Sequence, residues 1–283
     1  MKIAITAISG RLGKCIAQEA ITRLGSGRII GLARSPNSIN IPGVEIRKGD
    51  YNNPQELAVS LKGIDALILI SGMDTPENRI KQHQNAIKAA KKSGVKRIAY
   101  TSIYGEQSGT TFDAIIAANR QTEDDIRKSG LQWIIGRNGL YLEADLESIE
   151  QYAPNKELYN SAANGKCAYT TRFELARAYV EMITNRSLLG QTYNLCGPAI
   201  TQTQLTQAIN HAFDLQLKYR AIEVKAYQED RSRAYGPFLG EIIAGIYEGI
   251  KNNVFDVKSD FELVLGRPHQ SIAAQIMEYL YHN

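Results

Sequence analysis

Ala7-Ile8-Ser9-Gly10-Arg11-Leu12-Gly13 follows a short apolar run and opens a stretch of helical period, an arrangement suited to holding a pyrophosphate. The free N–H groups and aligned dipoles of a first helical turn attract an anion. Gly10 lets a phosphate approach the backbone, and Gly13 lets the helix pack closely on the strand. Ala7 stands where the usual fingerprint has its first glycine. If the turn is left-handed there, the methyl group costs about 1–2 kcal/mol relative to Gly. Arg34 ends the second predicted strand, where an acid would bond the ribose hydroxyls and an arginine accommodates a 2′-phosphate. With Arg11 as a second cation it favours NADP(H) over NAD(H), because two guanidinium forks share one dianion well. The competing reading makes both arginines solvated surface residues.

Further candidates sit where other strands end. Asp50 follows the third strand as an acceptor for an adenine amino group or as a turn residue. Ser71 and Gly72 follow the fourth, where small residues let a cofactor pass or simply form a turn. Thr101, Ser102 and Tyr104 close the fifth, with hydroxyls expected toward a nicotinamide. Arg137-Asn138-Gly139-Leu140-Tyr141 follows the sixth, where Asn138 offers an amide to a carboxamide or a substrate oxygen and Gly139 makes room for a ring. The Tyr-x-x-x-Lys pair that lowers a tyrosine pKa for proton exchange with a carbonyl is missing from the segment 113–128, which has no tyrosine. Tyr152 and Lys156 have the spacing, but Pro154 lies between them and they fall after the sixth strand. His83 reads as a structural residue of a helix.

The elements that position these residues alternate. Near-continuous apolar runs at 28–33, 44–47, 66–70, 97–101 and 133–135 read as strands buried on both faces of a parallel sheet, which requires helices on either side. Helices are predicted over 10–24, 54–61, 76–92 and 113–128, each closed by a glycine shortly after its end. The fold class is therefore α/β, a doubly wound parallel sheet. After Tyr141 the pattern loosens around Pro154 and Asn155, and residues 160–166 are polar. A helix at 172–184 and a strand at 192–195 return the chain to the sheet. The division expected is a cofactor domain over 1–150, revisited by 171–197, and a smaller, mainly helical domain from 151–170 and 198–283. In that domain 219–224 reads as a strand and 271–280 as the last helix.

The chain has 283 residues and a net charge of +4 spread along its length, which makes no case for nucleic acid. No apolar run approaches the roughly 20 residues that span a bilayer, so a cytoplasmic protein is expected. Cys15, Cys167 and Cys196 are far apart and the four histidines do not cluster, which supports neither a disulfide framework nor a metal site. Cys15 reads as a small apolar residue. A homodimer is compatible with the sequence.

Taken in order, Ser9-Gly10-Arg11-Leu12-Gly13, Ala33-Arg34, Gly49-Asp50-Tyr51, Leu69-Ile70-Ser71, Ala99-Tyr100-Thr101-Ser102, Thr122-Glu123, Arg137-Asn138-Gly139 with Tyr141, and Leu265-Gly266-Arg267-Pro268 resemble the NmrA-like, atypical short-chain dehydrogenase/reductase family, in particular its quinone reductases. The resemblance covers essentially the whole chain. It implies a Rossmann-like domain and a small C-terminal substrate domain with the active site between them. It also implies NADP(H) held by Ala7 to Gly13, Arg34, the loop Ser71-Gly72-Met73-Asp74-Thr75, and Arg137 to Leu142. The activity implied is direct hydride transfer to a quinone or similar electrophilic carbonyl, with no flavin and no metal. Asn138 and Tyr104 would stabilise the anionic product, which fits the missing Tyr-Lys pair. Asn119 stands where the quinone reductases carry a histidine. A non-catalytic NADP(H)-binding redox sensor is the alternative, and an epimerase or nucleotide-sugar reductase is disfavoured by the same missing pair.

Overall fold

Alternation along each strand decides the layers. In the computed structural model, whose described residues are 1–152, 154 and 156–282, Asn155 lies outside the described part. The first half runs β1 (Ile3–Ile5), α1 (Arg11–Leu24), β2 (Ile29–Ala33), β3 (Glu45–Lys48), α2 (Pro54–Ser60), β4 (Ala66–Ile70), α3 (Pro76–Lys92), β5 (Arg97–Ile103), α4 (Asp113–Lys128) and β6 (Gln132–Asn138). Then come β7 (Leu140–Tyr141), α5 (Leu142–Leu146), α6 (Ile149–Tyr152), β8 (Glu157–Asn160), β9 (Lys166–Thr170), α7 (Arg172–Thr184) and β10 (Thr192–Leu195). The chain ends with β11 (Ala199–Thr201), α8 (Gln202–Phe213), β12 (Lys218–Ala221), α9 (Val224–Tyr235), α10 (Pro237–Lys251), α11 (Phe261–Leu265) and α12 (Ile272–His282).

Among the described residues seven strands form one parallel sheet, in the order β10-β6-β5-β4-β1-β2-β3. The order reverses between β1 and β4, which opens a crevice at the carboxyl edge. Ile3, Ile5, Ile68 and Ile70 face a core shared with α1 and α7. Ala4, Leu67 and Leu69 face the opposite one, shared with α2, α3 and α4. Such strands read as unbroken apolar runs because both faces are covered. β3 lies at the edge of the sheet and is partly exposed.

The returning α7 and β10 have the limits the periodicity predicts, and β10 pairs with β6. A third core, built from Leu142, Leu146, Tyr169, Ile250 and Phe255 among others, lies under the smaller module. The boundaries differ from expectation in two places. Leu142 and Leu146 join this third core before residue 150, and Phe261 and Val264 of α11 pack into the α1/α7 core rather than into the smaller domain expected over 198–283. Val224 opens α9 rather than closing a strand. Among the described residues two small sheets complete the module: β11-β9-β7 ties it to the end of β6 through β7, and β12-β8 lies within it.

Helix α10 shows how the module closes. A side chain at Gly240 would come within 2.5 Å of the Ser232 backbone in α9, and one at Gly245 within 2.6 Å of the Phe112 nitrogen. Its small residues therefore meet the body closely, and Ile242, Ile243 and Ile246 border a cleft.

Candidate functional site

The cleft runs from the α1 turn to the α9/α10 hairpin and encloses about 950 Å³. At one end Ala7 has φ +47°, so the left-handed turn that the fingerprint glycine usually serves is made here by alanine. Its carbonyl accepts from the Gly10 nitrogen at 2.9 Å. A Cβ on Gly13 would lie 2.4 Å from that same oxygen, which fixes glycine there for close helix packing. Gly10 caps α1 without a side-chain bond and the first turn carries no acid, so the helix presents its positive end to the cleft. A dinucleotide pyrophosphate fits this turn. Arg11 pairs with Glu147 of the opposite wall. Arg34 follows β2, exposed and without an ion-pair partner among the described residues.

The loop after β4 is held from behind. The Ser71 nitrogen donates to Thr101 Oγ1 at 2.9 Å, and the Gly72 nitrogen donates to His83 Nε2 at 2.9 Å. Because Thr122 already donates to the Ala118 carbonyl, His83 Nδ1 carries its proton toward Thr122 Oγ1. Burial, with the charge of Arg79 beside it, lowers the His83 pKa to about 3. The imidazole is thus a neutral structural clamp. Ser71, Gly72 and the exposed Met73 border the cleft. Asp74 instead accepts from the Thr75 nitrogen, Asn78 and Gln82, and so organises the start of α3. Asp50 accepts from the Asn52 nitrogen at 2.9 Å, the turn role. Ser9 borders a separate groove with Lys14 and Ser38.

Asn138 is buried but reaches the cleft. The Tyr179 hydroxyl lies 2.6 Å from Asn138 Oδ1 and so turns the amide nitrogen toward Tyr141, whose hydroxyl accepts at 3.3 Å. One of the two amide hydrogens is left for a ligand. Arg172 lies over the Tyr141 ring at 5.2 Å. Asn119, by contrast, is spent internally, accepting from Tyr100 at 2.7 Å and donating to the Ile115 carbonyl at 2.8 Å. Ser102 donates to Glu123 at 2.7 Å. Burial raises the Glu123 pKa, but bonds from Arg137 and Ser102 and the charge of Arg120 outweigh it and hold the carboxyl below its ordinary value.

Like Ser9, Asp50, Asp74 and Thr75, the expected site residues Arg137, Tyr104 and Leu142 do not border the cleft. Arg137 precedes Asn138 in β6, so the two side chains leave opposite faces of the strand, and Arg137 goes to Glu123 under α4. The Tyr104 hydroxyl donates to the Ala168 carbonyl at 2.8 Å while its ring stacks on Phe255, and it is fully buried. Leu142 is a core residue. Gly139 borders the cleft, but its own reason is packing, since a Cβ there would sit 2.7 Å from both the Ala168 carbonyl and Cys196. Lys156 has φ +53° and does not border the cleft, whereas Tyr152 does.

Sequence reasoning missed Arg79, Asp145, Tyr247 and Arg231, all of which border the cleft. Asp145 accepts from Tyr247 at 2.5 Å, and burial pushes its carboxyl up to about 6 despite hydrogen bonds from Tyr247 and Tyr169. Arg231 is paired with Asp230 and ringed by Tyr159, Tyr227 and Tyr235. Their spacing carries no local pattern. The aromatic surroundings arise only when α9 folds against β8 and α10.

Among the described residues no group of three His, Cys, Asp or Glu side chains is placed to hold a metal, and no helix is long and apolar enough to cross a membrane. Residues 8–186 match the family model described as NAD(P)H-binding. Over 280 residues the chain is 28% identical to quinone oxidoreductase 2 of Escherichia coli strain K12, with 97% of each covered. It is 27% identical over 230 residues to an NmrA-like family domain-containing oxidoreductase of Aspergillus flavus, covering 78% of this chain and 75% of that one. The solved structure of the E. coli NADPH-dependent quinone oxidoreductase, complexed with NADPH, matches with TM-score 0.88 at 26% identity over 98% of this chain and 99% of that one. A Citrobacter sp. triphenylmethane reductase complexed with NADP(H) gives TM-score 0.88 and 26% identity over 98% and 99% of the two chains. The likeness to NmrA-like reductases read from the sequence thus extends through both modules. With a left-handed turn before α1, a family model matched over more than half its length and these relatives, the chain belongs to the NAD(P)H-binding family.

Proposed function

We propose that this NAD(P)H-binding oxidoreductase uses NADPH to reduce a quinone or a similar electrophilic carbonyl by direct hydride transfer, without a flavin. The observation that carries the reading is the continuity of one cleft. It joins the anion-attracting turn of α1 to an apolar chamber walled by α10, and the Asn138 amide lines the same cleft. When bound, the dinucleotide supplies the hydride. The chain's own residues do the rest. The α1 turn holds the pyrophosphate, and Arg34 takes the 2′-phosphate with its unpaired guanidinium. Ile242, Ile243 and Ile246 exclude water from a flat apolar acceptor, and the Asn138 amide donates to its oxygen as charge develops there. An anion delocalised over an aromatic ring needs no tyrosine acid, which agrees with Tyr152 and Lys156 lying apart.

Anaerobic NADPH oxidation against a panel of quinones, with cofactor binding followed by calorimetry on the same preparation, tests this. Turnover is expected, and tight binding without turnover would favour a sensor instead. Arg34→Ala should weaken NADPH binding by roughly tenfold and leave NADH binding unchanged. An unaltered preference between the two would remove Arg34 from the 2′-phosphate site.

A further inference from the structure

Arg79, in the first turn of α3, is 6% exposed, and it borders the cleft. Its Nε is buried without a hydrogen-bond partner, and among the described residues its guanidinium makes no ion pair. Arg97 also has an unpartnered Nε, but its guanidinium still donates to the Ile183 carbonyl at 2.6 Å, and Arg231 pairs with Asp230. The carboxylate whose charge reaches Arg79 is Asp74, and its oxygens are already taken by the Thr75 nitrogen, Asn78 and Gln82. A guanidinium does not lose its proton in a protein, so burying one unpaired is costly unless an anion meets it. Arg79 lines the same cleft as Ser71, Gly72, Asn119 and Asn138.

We infer that Arg79 is a catalytic residue whose guanidinium stabilises the negative oxygen that forms on a neutral carbonyl acceptor as hydride arrives. The inference rests on the reductase reading above. In the step, a hydride with its two electrons leaves the dihydronicotinamide and bonds to the quinone. The nicotinamide is oxidised, the quinone becomes a hydroquinone monoanion, and a proton from water completes the hydroquinone. Charge that appears only on the way to product is where a fixed cation accelerates most. Arg79 acts with Asn138 in the electrostatic role that the family resemblance implied for Asn138 and Tyr104.

The test compares two acceptors, 2-methyl-1,4-naphthoquinone and a cationic triarylmethane dye, which loses its positive charge on taking hydride. Arg79→Met should lower kcat for the quinone roughly a hundredfold. It should leave the NADPH dissociation constant within about threefold and should not slow reduction of the dye. Arg79→Lys should recover part of the quinone rate. Apo Arg79→Met should melt no lower than wild type, because an unpaired buried charge has been removed. An NADPH dissociation constant raised by more than about tenfold, with both acceptors slowed alike, would make Arg79 a ligand of the cofactor phosphates and overturn the inference. A lower melting temperature with equal losses would make it structural. Wild-type protein that binds NADPH but reduces neither acceptor would overturn the reductase reading itself, and the inference with it.

Discussion

The two ends of the cleft are built on different principles. Around the α1 turn and the loop after β4, polar groups are fastened to one another: Ser71 to Thr101, Gly72 to His83, His83 to Thr122, and Tyr51 to the Ile70 carbonyl at 2.6 Å. Along α9 and α10 the wall is aliphatic and aromatic, and Phe238, Leu239 and Tyr235 stand partly open at its rim. A binding surface made of backbone N–H groups must be rigid, because a shift of a few tenths of an ångström loses the hydrogen bond. Apolar contact tolerates different shapes. One end is therefore suited to a single ligand, and the other to a class of them.

The sharpest way to break the rigid end is Gly13→Val. The added carbons would overlap the Ala7 carbonyl, and the turn would have to move. We expect NADPH affinity to fall by about a hundredfold, roughly 3 kcal/mol, by calorimetry. A change below about threefold would mean that the turn gives way easily, and the contrast between the ends would weaken. At the apolar end, Asp145 has the larger effect. Its folded-state pKa of about 6 lies above the ordinary 3.8, so the native protein keeps a proton that the unfolded chain releases. The unfolded state binds fewer protons across that window, so stability falls as pH rises from about 4 to about 6, by about 3 kcal/mol from this group. In urea titrations at several pH values, Asp145→Asn should lose that component of the slope. A slope identical to wild type would place the carboxylate in a wetter setting than the cleft wall provides. The smallest effect is expected for Ala7→Gly, which relieves the left-handed methyl but loosens the unfolded chain. A gain of about 0.5–1 kcal/mol in unfolding free energy, with cofactor affinity unchanged, is predicted. Loss of stability would show that the turn does not strain alanine.

The same contrast decides what the sequence made legible. The cofactor end is encoded locally, so the strand–turn–helix at 3–24 and the limits of α3 and α7 could be read from neighbours in the chain, while the sequence left open whether Ala7 is left-handed and the structure shows that it is. The acceptor end is assembled from residues 138–152, 169, 227–250 and others that meet only after folding. β7 and β11 are two and three residues long, held by pairing with β9, and carry no period of their own. Arg137 and Asn138 show a finer limit. The motif names both, yet adjacent strand residues face opposite ways, so only one reaches the cleft. Tyr104 failed for a related reason. Gly105, with φ +85°, turns the chain under the smaller module, and the phenol follows it into the third core.

The bridge between Arg11 and Glu147 sets how the cofactor end should respond to salt. A phosphate arriving at Arg11 finds a guanidinium already neutralised, so its gain is the difference between two ion pairs rather than the whole of one. Mobile counterions screen the old pair and the new one alike, since Arg11 is well exposed. Cofactor affinity should then depend on ionic strength less steeply than a count of its cationic neighbours would suggest.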